Sequence, residues 1–381
     1  MKSAVFLVAG LTILLLMSTA AAWSTDRDSV LQHVAFDKVG DIIIIDPNLF
    51  AQRESLLQSI KETREYLKTD IARIKLQRFE RGGINAGVLD LSLERFSQLL
   101  RESKSQRELV KGIRSSFDLY RSLGSDGRGS VLFTGYFRPV YRASRTATKS
   151  YRYPLFRRPA DFETWTRPHP TRVELEGVDG LGGRSTLLHG QELAWLQTRF
   201  EVFMIHVQGS AVLEFLDTTR TAVGFAGGTD YPFKGIPLEY LKKQRIAWSK
   251  LSNFFRKHPV ELDRLLSENN RFIFFAEQQS SAPVGSLGLA VVEERSIAID
   301  QGQLPPGAVS VIRTALPQMD REGKIRLVSS SRFVLNLDSG SAIRGPGRVD
   351  LFMGTGEEAR ERANHVHGGG ELYYLFPKRA G

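Results

Sequence analysis

The 381-residue sequence contains no cysteine. That absence removes disulfides, thiolate metal sites, iron–sulfur clusters and cysteine nucleophiles. It also removes a lipoprotein anchor, which needs a cysteine just after the signal. Histidine is scarce, with seven in all, and only His365 and His367 stand close together. No third ligand follows at a recognisable spacing, so no metal is expected. His206 is the better polar lining candidate, beside Gln208-Gly209-Ser210. There is no Gly-x-Ser-x-Gly elbow, phosphate loop or dinucleotide fingerprint, which leaves serine-triad and nucleotide chemistry weakly supported. Acids are outnumbered, 42 against 52 Lys plus Arg, for a formal net charge of +10. A basic surface suits an anionic partner: nucleic acid, acidic lipid or an anionic wall polymer.

Long apolar runs are also rare. The one present, Ala4 to Met17, follows Met1-Lys2 and leads into Ala20-Ala21-Ala22. A basic start, an apolar stretch and an A-x-A site read as a cleaved signal over 1–22, with an uncleaved anchor as the alternative. Either way the body is expected to be exported, to the periplasm or cell envelope. Export argues against a nucleic-acid partner, and membrane association is expected only through an uncleaved N-terminal segment.

At roughly 100–200 residues per domain, the length suggests two domains. Apolar residues at three- and four-residue spacing predict helices in the first third: Leu56, Leu57, Ile60 and Leu67; Leu93, Phe96, Leu99 and Leu100; Leu109, Val110, Ile113, Phe117 and Tyr120. From Val131 the texture changes to short apolar runs. Val131-Leu132-Phe133, Phe203-Met204-Ile205 and Val212-Leu213 read as strands. Arg138 to Arg172 is rich in arginine, and reads either as a solvated basic face or as a groove for an acidic polymer. Leu238 to Asn270 reads helical. Short strands follow, Gly288–Val292 among them, separated by Gly and Pro, as in a barrel or sandwich.

Three aspartates stand out in that last part. Asp300 ends Ser296-Ile297-Ala298-Ile299-Asp300, Asp338 ends Val334-Leu335-Asn336-Leu337-Asp338, and Asp350 lies within Arg348-Val349-Asp350-Leu351-Phe352. Burial at such apolar positions raises a carboxyl pKa, which is what protonating a glycosidic oxygen near neutral pH requires. Turn capping by aspartate is the plainer alternative.

Together with Phe133-Thr134-Gly135-Tyr136-Phe137-Arg138-Pro139, Val207-Gln208-Gly209-Ser210, Val223-Gly224-Phe225-Ala226-Gly227 and Asn270-Arg271-Phe272-Ile273-Phe274-Phe275, these segments resemble the membrane-bound lytic murein transglycosylase A family. The resemblance implies a mainly β protein with N-terminal helices. A double-psi β-barrel domain (23–140 and 281–381) would hold an inserted, smaller all-β domain (141–280), with a groove between them. It implies an exo-acting, lyase-type murein transglycosylase without a cofactor. Such an enzyme cuts the β-1,4 bond between N-acetylmuramic acid and N-acetylglucosamine by internal attack of the C6 hydroxyl. Its partners would be peptidoglycan glycan strands. Asp350 takes the catalytic role by this resemblance, with Asp338 and Asp300 in support. Thr134, Gly135, Tyr136, Arg138, Gln208, Gly209 and Ser210 would bind substrate. Departures from the family pattern stand at Phe137, Gly228-Thr229-Asp230 and Ser339-Gly340-Ser341. A muramidase using water and a non-catalytic wall-binding protein are the competing readings.

Overall fold

The computed structural model describes residues 30–182, 186–246, 250–279 and 282–378, so the expected signal over 1–22 lies outside the described residues. Strand β1 (Leu31–Val34) and helix α1 (Phe36–Val39) precede a helical layer of α2 (Arg53–Leu67), α3 (Asp70–Leu76), α4 (Ala86–Glu102) and α5 (Gln106–Ser116). The Asn85 and Ser105 side chains start α4 and α5 by accepting the Val88 and Glu108 amides. Leu89, Leu93, Phe96 and Leu100 form the fully buried stripe of α4. The helical run stops at Ser116. Phe117 and Tyr120, which continue the α5 spacing in sequence, belong instead to strand β2 (Phe117–Ser122). Pairing of β2 with β1 overrides the local period there.

Strand β3 (Val131–Arg138) leads directly into the insert. The insert comprises β4 (Val140–Ala143), β5 (Tyr153–Phe156), α6 (Arg172–Glu176), β6 (Glu192–Leu196), α7 (Arg199–Gln208), β7 (Ser210–Phe215), β8 (Arg220–Gly228), α8 (Leu238–Gln244), α9 (Leu251–Lys257), α10 (Pro259–Ser267) and β9 (Ile273–Gln278). Its main sheet has the order β4-β7-β8-β9, and β5 pairs with β6. Phe203-Met204-Ile205, expected as a strand, is the middle of α7. A Thr198–Glu201 capping box opens that helix and left-handed Gly209 closes it. A short apolar run cannot by itself distinguish helix from strand, and here the caps decide.

The chain then returns to the barrel through β10 (Ser296–Ala298), β11 (Val309–Met319), β12 (Ile325–Asp338), β13 (Arg348–Thr355), α11 (Glu357–His365) and β14 (His367–Pro377). Residues 288–292 contribute only an isolated bridge, Val284 to Ala290, rather than a strand. Six strands close on themselves in the order β14-β11-β12-β10-β13-β3 and back to β14. The β10–β12 and β13–β3 pairs are parallel and the others antiparallel. This is the mainly β barrel with N-terminal helices that the resemblance implies, but the insert, expected to be all-β, carries α6 to α10 beside its sheets, because the apolar spacing over 238–270 and the capped α7 favour helix there. The helical layer covers the barrel, with the Phe96 ring tilted against Phe333 at 4.9 Å and Ser92 donating to the Leu375 carbonyl at 2.6 Å. Beneath it Asp46, fully buried, accepts from Arg295 and from the Phe333 amide at 3.0 Å, and lies 3.7 Å from Arg332. Among the described residues no helix is long and apolar enough to cross a membrane.

Candidate active site

Strand register builds the site. Thr134 on β3 pairs with Asp350 on β13, Asp350 with Ala298 on β10, and Ala298 with Asp338 on β12. Two of the three aspartates therefore lie in one row across the barrel wall, although Asp338 and Asp350 belong to strands that are not neighbours. On β13 the flanking Val349 and Leu351 are fully buried, so alternation turns Asp350 to the opposite face. That face borders a cleft of about 670 Å³ between barrel and insert, with Tyr136, Asp300, Asp338 and Asp350 on the barrel side. Gln208, Gly209, Ser210 and Phe225 line it from the insert side.

Asp350 is half-buried and held by a short relay. Arg348 Nη2 donates to Thr134 Oγ1 at 2.8 Å, and Thr134 Oγ1 donates to Asp350 Oδ1 at 2.5 Å. A guanidinium can only donate, so the single hydroxyl proton of Thr134 is directed at the carboxylate. Among the described residues no other side chain or amide bonds the Asp350 carboxyl, which leaves Oδ2 available to a ligand. Burial pushes the Asp350 pKa up to about 6. The Thr134 bond and the Arg348 charge act against that shift, and the Asp338 charge adds to it.

Asp338 has a different environment. Its Oδ1 accepts the Ser286 and Ser339 amides, each at 2.8 Å, and its Oδ2 accepts the Tyr136 hydroxyl at 2.8 Å. Burial raises its pKa, and these donors to the charged form oppose the rise. Burial and then the Asp338 charge hold the Tyr136 phenol well above its ordinary value, so it remains a donor. Asp300 lies two residues past the end of β10 and accepts the Gly302 amide at 3.0 Å and the Gly345 amide at 2.7 Å. It thereby fastens the loop between β12 and β13 to the barrel rim.

The expected substrate-binding residues divide into two groups. Tyr136, Gln208, Gly209 and Ser210 line the cleft, and Gln208 Oε1 also accepts the Phe137 amide at 2.9 Å, which joins insert to barrel. Thr134, Gly135 and Arg138 stand behind it. Thr134 acts on Asp350, Gly135 packs against α11, and Arg138 is buried with its Nε on Thr355 Oγ1 at 3.1 Å. His206 reaches the cleft wall, but its Nδ1 lies 3.1 Å from Arg172 Nη2. Burial and the Arg172 and Arg199 charges drive its pKa well down, so the ring is neutral.

The arginine-rich stretch is mostly committed to internal pairs: Arg145 to Asp217, Arg157 to Glu277, Arg158 to Glu163, Arg167 to Asp230 and Arg172 to Glu176. An acidic-polymer groove along Arg138–Arg172 is thus replaced by a paired face. Arg271 and Arg344, which sequence reasoning passed over, line the cleft instead. His365 ends α11 and His367 begins β14, both exposed. Among the described residues no group of three or more His, Asp or Glu could hold a metal ion.

A closed barrel and an inserted domain, facing across a cleft floored by three carboxylates in unlike surroundings, define the class of protein. Two family models match it, the MltA specific insert domain over residues 132–276 and the 3D domain over residues 295–376, together more than half of the chain. The membrane-bound lytic murein transglycosylase A of Escherichia coli (strain K12) is 29% identical over 266 residues, covering 68% of this chain and 69% of its own. A homolog of that protein from Buchnera aphidicola is 24% identical over 356 residues, 88% of this chain and 93% of its own. Among solved structures, the membrane-bound lytic murein transglycosylase from Agrobacterium tumefaciens has a TM-score of 0.67 at 23% identity, over 91% of this chain and 97% of that one. E. coli MltA with bound chitohexaose also has 0.67, at 22% identity over 88% and 91%. The chain belongs to the membrane-bound lytic murein transglycosylase A family.

Proposed function

We propose that this protein is a peptidoglycan lytic transglycosylase of the cell envelope, exo-acting and working on glycan strands laid along the cleft. The observation that carries the reading is Asp350: one carboxyl on the cleft floor, raised to about 6 and fixed through only one of its oxygens. Protonated, it donates from Oδ2 to the oxygen leaving C1 of the muramic acid. As carboxylate, it then takes the proton of that sugar's C6 hydroxyl, which attacks C1 and closes a 1,6-anhydro ring. The C1–O bond breaks, a new C1–O6 bond forms, and the proton passes through one side chain in both directions. Tethering supplies the nucleophile at high effective molarity, so no water need be bound.

Asp338, as carboxylate, stabilises positive charge developing at C1, and its three donors favour that charged form against burial. Tyr136 fixes Asp338, while Gln208 and Ser210 meet acetamido and hydroxyl groups. Asp300 supports the rim loop. The relatives named for this activity, and the chitohexaose bound by the E. coli protein, support glycan strands as the substrate. The division of the chain at about 140 and 281 follows the same reading, because β3 ends at Arg138, β4 opens at Val140 and β9 ends at Gln278.

Asp350→Asn tests the assignment. Turnover of purified peptidoglycan should fall by about a hundredfold to ten-thousandfold, the scale of a lost general acid–base. Retention of turnover within about tenfold of the unmodified chain would remove Asp350 from the reaction.

A further inference from the structure

The barrel wall of the cleft carries three carboxylates, and positive charge enters the cleft at one place. Arg271, just before β9, and Arg344, in the loop before β13, both line it, one from the insert and one from the barrel. Arg271 is half-buried and fixed: its Nη1 donates to the carbonyls of Thr229 at 2.9 Å and Tyr231 at 3.0 Å. Its Nε is buried and has no partner. Arg344 is exposed, with its Nε on the Ser341 carbonyl at 3.2 Å. Asp230, the acid whose charge reaches Arg271, is itself engaged by Arg167 at 3.3 Å and His169 at 2.8 Å. Among the described residues neither guanidinium of the cleft forms an ion pair. The two also act on one another, since burial first and then the Arg344 charge lower the Arg271 pKa. Like charges brought together from opposite walls cost free energy, and an anion bound between them offsets it.

We propose that Arg271 and Arg344 form a carboxylate-binding site that reads the acidic group on a glycan strand; the inference rests on the glycan-cleft reading above. A planar guanidinium fork matches a carboxylate in a two-bond geometry. On such a strand the carboxylate comes from one of two sources, the free lactyl group of a stem-free muramic acid or a peptide stem attached to it. The two alternating sugars differ by that lactyl substituent. A site that holds its acid, opposite Asp300 and Asp338 whose carboxylates repel it, therefore sets which sugar lies over Asp350.

Titration of the Asp350→Asn protein, which keeps strands intact, with three probes tests this: neutral chitohexaose, stem-free glycan and stem-bearing glycan. Arg344→Gln and Arg271→Gln are each added to that background. The ratio of carboxylate-bearing to chitohexaose affinity should fall about tenfold in each, the scale of one charge-assisted hydrogen bond. Its salt dependence should weaken as well. Loss for stem-free glycan assigns the lactyl carboxylate, and loss confined to stem-bearing glycan assigns the stem. Because Arg271 also ties the Thr229 and Tyr231 carbonyls, Arg344→Gln decides. An unmoved ratio in Arg344→Gln, with all three probes still bound, overturns the arginine site alone. Failure of every probe to bind before either arginine is changed overturns the glycan reading itself.

Discussion

Burial raises the Asp350 pKa to about 6 and so keeps its acid form populated at a higher pH than an ordinary carboxyl. Because the first step needs the protonated carboxyl, kcat/KM should fall as pH rises through about 6. In Asp338→Asn, which removes a charge that raises this pKa, the falling limb should move to lower pH. A pH–rate profile on soluble glycan checks both. The stability consequence has a definite sign. The folded pKa lies above the ordinary carboxylate value, so the contribution is present at low pH and is lost as pH rises through about 6. Asp350→Asn, which keeps an acceptor for Thr134, should stabilise the fold by about 1–3 kcal/mol near neutral pH and leave it unchanged in acid, by urea unfolding at both. The three aspartates were legible because each stands in an apolar segment. Arg348 was readable in principle, two residues before Asp350 on the same strand face. Arg271 and Arg344 were not, because a lone arginine reveals its neighbours only once two domains face each other.

Elements place these residues through close backbone contacts. Gly135 sits between Thr134 and Tyr136 on β3, and a Cβ there would stand 2.9 Å from Ala363 Cα and 3.0 Å from its carbonyl oxygen. Both atoms belong to the α11 backbone and cannot swing aside. Gly135→Ala should therefore push β3 off α11, at a cost of about 1–3 kcal/mol in folding. It should also lower kcat, since the shift moves the donors to Asp350 and Asp338; thermal melting together with steady-state kinetics measures the two. At this scale the sequence was read well where period and caps agreed, as in α4. It was misread at Phe203–Ile205, where apolar composition outweighed the Thr198–Glu201 capping box and Gly209. The carry-over of the α5 stripe into Phe117 and Tyr120 had no local cue against it, because only pairing with β1 and β14 makes that segment a strand.

Across the whole molecule the site depends on contacts remote in sequence. Barrel closure pairs His367 with Thr134, and Asp46 bonds Arg295 and the Phe333 amide from the far end of the chain. No periodicity announces either one. Asp46→Asn would leave Arg295 buried without its carboxylate, while Arg332 keeps Glu294 at 3.3 Å, and should cost about 3–5 kcal/mol, readable as a large drop in the denaturation midpoint. The net charge of +10 pointed toward an anionic partner, but much of the arginine-rich stretch is paired internally, and the cleft floor is acidic. Charge placement rather than charge total therefore decides what the cleft accepts. The central claim is bond cleavage by an internal hydroxyl, with Asp350 as the only proton carrier. Digestion of purified peptidoglycan in heavy-oxygen water, read by mass spectrometry, tests it most directly. The account predicts 1,6-anhydro ends, lighter than reducing ends by one water and free of heavy oxygen. Reducing ends that carry heavy oxygen would contradict it.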